Sequence, residues 1–342
     1  MHLPIPRGGL SRALAAALLH TPQPLPDLAD RARDLVAAGG EPLGHEDLQL
    51  SLYVLYELHY QGFDGVDPAW EWSPDLLAAR AVLERVFERA LRARVRLPDL
   101  PAASAAEVAQ ALSDLVAADD GPPLSAFLAR EASAEQFREF LVHRSVYQLK
   151  EADPHTWAIP RLTGRPKAAL AEVQVDEYGG GHAERVHAAL FARTMRVMGL
   201  DDTHGVHVDR VPALTLAWVN AMSLFGLQRR LRGAVVGHLA AYEMTSTLPN
   251  RRYGDGLRRL GLDGEATWFF DEHVEADAVH EQLAAHDLCG ALAEDEPALV
   301  PDLLFGAGTA LELDRLLAGA LLGAWSAGRS SLRAPIPVPD AA

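Results

Sequence analysis

The stretch "FFDEHVEADAVHEQLAAHDLC", residues 269–289, decides how this chain is read. Its spacing predicts an amphipathic helix, yet His273, Asp277 and His280 fall inside the apolar stripe. On a wheel of ~100° per residue with His273 at zero, Asp277 lies at about +40° and His280 at about −20°. Phe270, Ala276, Ala284 and Leu288 flank or share that arc. Asp271, Glu275, Gln282 and His286 occupy the opposite, solvent-facing side, with Glu281 at the border. Burying an unpaired carboxylate is costly, and the stretch contains no Lys or Arg to compensate it. A metal ion is one compensation that fits two imidazoles and a carboxylate on one face.

The rest of the chain limits the alternatives. A length of 342 residues allows one large domain or two modest ones, and 49% hydrophobic residues allow a sizeable core. A net charge of −16 argues against nucleic acid or an anionic membrane as partner. The single cysteine, Cys289, excludes an intrachain disulfide and any Cys-rich zinc or iron–sulfur site, and reads as a core residue. No apolar run reaches the ~18 residues of a membrane span. The N-terminal "LSRALAAALLH" carries Arg12 within a short apolar run and reads as an ordinary helix rather than a secretion signal. A cytoplasmic protein is the expectation.

Helical periodicity dominates, with no alternating segment long enough for a sheet, so the fold class is all-α. We expect an N-terminal helical extension over 1–123, a helical domain over 124–333 and an unpacked Pro-rich tail over 334–342. "LPNRRYGDG" and "LGLDG" read as breaks between helices. "EYGGGH" follows a helix rather than a strand, so it is no dinucleotide fingerprint.

Other ligand-grade residues sit on apolar helix faces. In 168–200, Glu177 and Glu184 are two turns apart on a stripe with Val173, Phe191 and Met195, and His187 follows Glu184 in a Glu-x-x-His pair. The glycines at 179–181 suggest a local bend between the two acids. Glu243 is a lone acid on the face of Val236, Leu239 and Ala240. The set is then Glu177, Glu184, His187, Glu243, His273, Asp277 and His280. Four carboxylates and three imidazoles without a thiolate suit iron or manganese better than structural zinc, and four carboxylates suit two adjacent divalent ions. Each part has an ordinary reading as well: a buried glutamate is often a hydrogen-bonded core group, and Glu-x-x-His is common in helices. His182, His204, His207 and His238 read as surface or helix-end residues, and Arg251 and Arg252 as capping or ion-pairing residues rather than substrate contacts.

"DEYGGGHAERVH", "YEMTS" and "HVEADAVH" together resemble the heme-oxygenase-like diiron oxidases and oxygenases, also known as iron-containing redox enzymes. The resemblance covers about 140–335 and implies a heme-oxygenase-like helical bundle. It also implies all seven residues as ligands, two Fe(II) per chain with manganese admitted in place of one, and O2 as co-substrate. The Glu243-to-His273 spacing and the additional carboxylate Glu184 resemble the family's N-oxygenase branch, which implies a small amine or guanidine substrate and leaves an external electron donor and a homodimer open. An oxidase that cleaves or desaturates an amino-acid or fatty-acid substrate, and a non-catalytic iron-binding helical protein, are the alternatives.

Overall fold

The computed structural model describes residues 1–336, apart from the side chains of 276–279. Every regular element among the described residues is helical, and no strand occurs among them. The N-terminal part holds α1 (Gly9–Leu18), α2 (Leu28–Ala37), α3 (Glu46–Glu57), α4 (Pro74–Arg94) and α5 (Ala105–Ala117). There follow α6 (Leu124–Arg130), α7 (Ala134–Gln148), α8 (Asp153–Thr156), α9 (Gly164–Glu177), α10 (His187–Val197) and α11 (Ala213–Leu227). The last are α12 (Arg232–Thr245), α13 (Thr247–Arg259), α14 (Trp268–Gln282), α15 (Ala291–Asp295) and α16 (Val300–Ser326). Among the described helices none is long and apolar enough to cross a membrane.

The tightest packing in the bundle joins α12 to α16. Glycines make it so. A Cβ at Gly237 would sit 1.9 Å from the Leu303 carbonyl oxygen, and one at Gly306 would sit 1.9 Å from that of Ala234. Backbone therefore lies directly on backbone, which fixes where α12 points Glu243. The apolar residues Val235, Val236, Leu239 and Ala240 of α12 are all buried. α14 packs against α10, α12 and α13, and so closes the bundle around the histidines it carries.

Two readings of the chain are corrected here. "LPNRRYGDG" is not a break but part of α13: Pro249 sits in the first turn, where a missing N–H costs no helical bond. The described start of the tail is packed, because the Arg210 guanidinium reaches the Pro335 carbonyl and Ile336 lies against the core. The N-terminal helices share the core of the rest, with α3 packed on α11 and Tyr60 donating to Ser223 (3.1 Å).

Candidate metal centre

α9 ends at Glu177 because the next turn cannot be helical. Gly179, Gly180 and Gly181 all take positive φ (69°, 60° and 84°), the left-handed region that residues with a Cβ disfavour. The loop closes so tightly that a Cβ on Gly179 would lie 2.6 Å from the backbone at Arg185 and Val186. The helix is broken rather than bent here, and α10 opens at His187. Glu177 and His187, ten positions apart, thereby meet with Oε2 and Nδ1 at 3.1 Å. Glu184 is left in a single 3-10 turn, with its side chain 61% exposed. The expected Glu-x-x-His pair is therefore not formed on one helix, and the structure does not bring Glu184 to the other ligand-grade residues.

α14 supplies the second half of the cluster. His273 is buried, and its ring lies 4.4 Å from that of His187, centroid to centroid. Its Nδ1 is 2.7 Å from the Phe269 carbonyl, an acceptor, so Nδ1 carries the proton and Nε2 is the nitrogen left for another partner. That Nε2 points to a residue the sequence reading missed: Glu151 Oε1 is 3.7 Å away. Glu151, Glu177, His187 and His273 each offer a ligand atom, all within 4.8 Å of one another.

His280, two turns along α14, is flanked by Glu243 (Nδ1 to Oε2, 3.3 Å) and donates from Nε2 to Asp176 (2.9 Å). Glu243 is buried, and Asp277, between the two histidines, lies outside the described residues. Glu177, His187, Glu243, His273 and His280 thus converge at the α9–α10–α12–α14 junction, with Glu151 added from the turn after α7. Two of the histidines set aside earlier prove buried, His207 and His238, the latter with its ring tilted against that of His155, while His204 is half-buried with Nε2 3.0 Å from Glu57. His182 is exposed as expected, and Cys289 is fully buried.

The electrostatics favour a cation at this point. Burial would lower the affinity of His280 for its proton, but Glu243 and Asp176 raise its pKa to about 9. Burial likewise opposes charge on His187, which Glu177 nevertheless holds above the ordinary histidine range. Burial would raise the Glu177 carboxyl, and the His187, His273 and His280 imidazoles pull it below the usual carboxylate range instead. Burial pushes the Glu151 carboxyl up. The acids draw positive charge, and without a metal it is protons on imidazole that supply it.

A fit to iron rests on the same residues. Glu151 Oε2 is buried with no hydrogen-bond partner, while Glu177 Oε2 with His187 Nδ1, and His280 Nδ1 with Glu243, are buried and held by charge rather than by aligned hydrogen bonds. Such atoms carry a desolvation cost unless something occupies their lone pairs. The donors are nitrogen and oxygen only, which suits Fe(II) or Mn(II). His273 anchored through Nδ1 to a backbone carbonyl is the support that metal-binding imidazoles receive. Glu151, Glu177, Glu243 and His273 also line a cavity of about 410 Å³, bounded by Tyr147, Leu239, Tyr242 and Phe270.

With this geometry in place, the comparisons with known proteins are decisive at one level. The family model described as iron-containing redox enzyme matches residues 138–315, just over half of the chain. The chain belongs to that family. It is an oxidoreductase of the iron-containing class, with an all-α, heme-oxygenase-like fold. It is also 27% identical over 192 residues to nitrosourea synthase from Streptomyces achromogenes subsp. streptozoticus, a match covering 55% of this chain and 40% of that protein. The chain thus spans less than half of that relative's length.

Glu151 carried a signal that went unread. It is an acid just past the C-terminal end of α7, where a negative charge opposes the helix dipole.

Proposed function

We propose that the junction of α7, α9, α10, α12 and α14 holds two Fe(II) ions, and that the protein oxygenates a small amine- or guanidine-bearing molecule at nitrogen. Glu151, Glu177, His187 and His273 would hold one ion, and Glu243 and His280, with Asp277, the other. Manganese in place of one iron remains compatible with this donor set. Bound and reduced, the irons supply the electrons that activate O2. The balance requires an external reductant: one oxygen atom enters an N–H bond to give N–OH, and the other leaves as water with two further electrons and two protons. The observation that carries this reading is the opening of the Glu/His cluster onto the 410 Å³ cavity, which is of substrate size.

The chain's own residues would bind and orient the substrate. Tyr147, Leu239, Tyr242 and Phe270 exclude water, which protects a reactive centre from side reactions. Gln148 and Tyr242 line the same space, with Gln148 Oε1 buried and without a hydrogen-bond partner, beside the Arg144–Asp314 ion pair at 3.5 Å. They offer both donors and acceptors to a polar ligand. The relative named for making a nitrosourea, a compound with oxidised nitrogen, supports nitrogen as the atom attacked.

The test is O2 consumption by Fe(II)-loaded protein with a reductant and a panel of amines, guanidines, amino acids and fatty acids. The reading expects uptake stimulated by a nitrogen compound and a product heavier by one oxygen atom. Stimulation by a fatty acid with loss of carbon would favour a bond-cleaving oxidase. Iron binding with no substrate-dependent uptake under any reductant would favour an iron-holding protein.

A further inference from the structure

Residues 1–123 fall outside the family match, yet one of them reaches toward the metal centre. Glu57, the last residue of α3, is completely buried, and its Oε2 accepts from Lys150 Nζ at 2.7 Å. Lys150 is itself buried, with Nζ 4.2 Å from the Tyr60 ring centroid, and His204 Nε2 lies 3.0 Å from the other Glu57 oxygen. Lys150 immediately precedes Glu151. The residue after Glu151, Ala152, has φ 74° and ψ −32°, and it is the single non-glycine residue with positive φ among the described residues. A residue with a Cβ stays there only when its surroundings hold it, and such outliers gather at functional sites.

The turn is pinned on both sides. Behind it, the Ala152 carbonyl accepts from His155 N–H (3.1 Å), Thr156 N–H (3.0 Å) and the Thr156 hydroxyl (3.1 Å). Ahead of it, the fixed point is the Lys150 side chain on Glu57. Between the two pins, Glu151 faces the cluster, with Oε1 3.7 Å from His273 Nε2 and Oε2 buried without a hydrogen-bond partner.

We propose that Glu57 is a positioning residue for the metal centre: through Lys150 it holds the strained turn that presents Glu151, so the N-terminal region completes the site. This rests on the reading that Glu151 binds metal. A buried ion pair is often no more stabilising than a well-packed apolar pair, so stability alone gives little reason for one here. Supporting groups one shell removed from a metal typically change its affinity 10–100-fold when altered.

The experiment is Co(II) titration of the metal-free, full-length protein, followed by its visible absorption, with the unfolding midpoint of each variant measured in parallel. Glu57→Gln should weaken Co(II) binding about tenfold or more. Should that variant fail to fold, Glu57→Gln/Lys150→Met removes both charges together; it should unfold near the wild-type midpoint and still bind Co(II) about tenfold more weakly. Tyr60→Phe, which removes the Ser223 hydrogen bond but leaves Glu57 and Lys150 in place, should bind as the wild type does. Wild-type affinity in the double variant would overturn the proposal, and so would an equal loss in Tyr60→Phe. Glu151→Gln separates this from the underlying reading: if it leaves Co(II) binding intact, the metal-site assignment fails and the positioning role with it.

Discussion

Glu151 and Glu184 each follow the end of a helix, and the backbone sends one into the cluster and the other into water. Residue type cannot distinguish them; the torsions around them do. Ala152 turns the chain after α7 so that Glu151 faces His273, while the three left-handed glycines after α9 break the helix and leave Glu184 exposed in the loop between Glu177 and His187. The consequences differ sharply. Glu184→Ala should change stability by no more than about 0.5 kcal/mol, as exposed positions generally do, and leave metal uptake unchanged. Unfolding midpoints and iron content of the purified variant check both. Equal loss of iron in Glu184→Ala and Glu151→Gln would mean that the loop rearranges when metal binds.

Whole elements were more legible than their junctions. The wheel over 269–289 separates buried from exposed residues as the structure does: Phe270, Ala284 and Leu288 are buried, while Gln282 and His286 are exposed. The 3.6-residue period holds only as far as Gln282, where α14 ends; Leu283–Gly290 continues as a wider π-helical turn that the period does not reveal, although it keeps Ala284 and Leu288 buried. The break after Glu177 is harder to read, since glycines in a helical pattern are compatible with a bend, and only the positive φ that all three adopt ends the helix. Glu151 was missed because α7 buries residues around much of its surface, including His143, Ser145 and Tyr147, and so shows no clear stripe for an acid to interrupt. Nor does the sequence reveal that α12 and α16 touch through Gly237 and Gly306. Gly237→Ala would drive a methyl group into the Leu303 carbonyl, so it should destabilise the protein by about 1–3 kcal/mol and displace Glu243 with α12. Urea unfolding checks the first effect and metal titration the second; wild-type values in both would contradict this packing argument.

At the scale of the molecule, the N-terminal region and the family-matching region are joined by buried charge. Burial would raise the Glu57 carboxyl, but Lys150 and His204 draw it down to about 2, from an ordinary value of 4.5. A depressed acid contributes stability that is fully present above its unfolded pKa and is lost as pH falls through the folded one. Between about pH 4.5 and about pH 2 the protein should therefore lose on the order of 3 kcal/mol through this group. Urea unfolding across that range should show a shallower fall in Glu57→Gln/Lys150→Met; identical pH slopes would mean that the pair carries no such linkage.

On the proposed reading, acids and imidazoles from five helical segments surround two irons, with Glu151 among their ligands. Anaerobic Fe(II) titration of metal-free wild-type protein beside Glu151→Gln and Glu184→Gln tests it most directly. Close to two Fe(II) per chain are expected in the wild type and in Glu184→Gln, with at least one of them weakened in Glu151→Gln. One Fe(II) or fewer in the wild type, or a loss that follows Glu184 and spares Glu151, would contradict it.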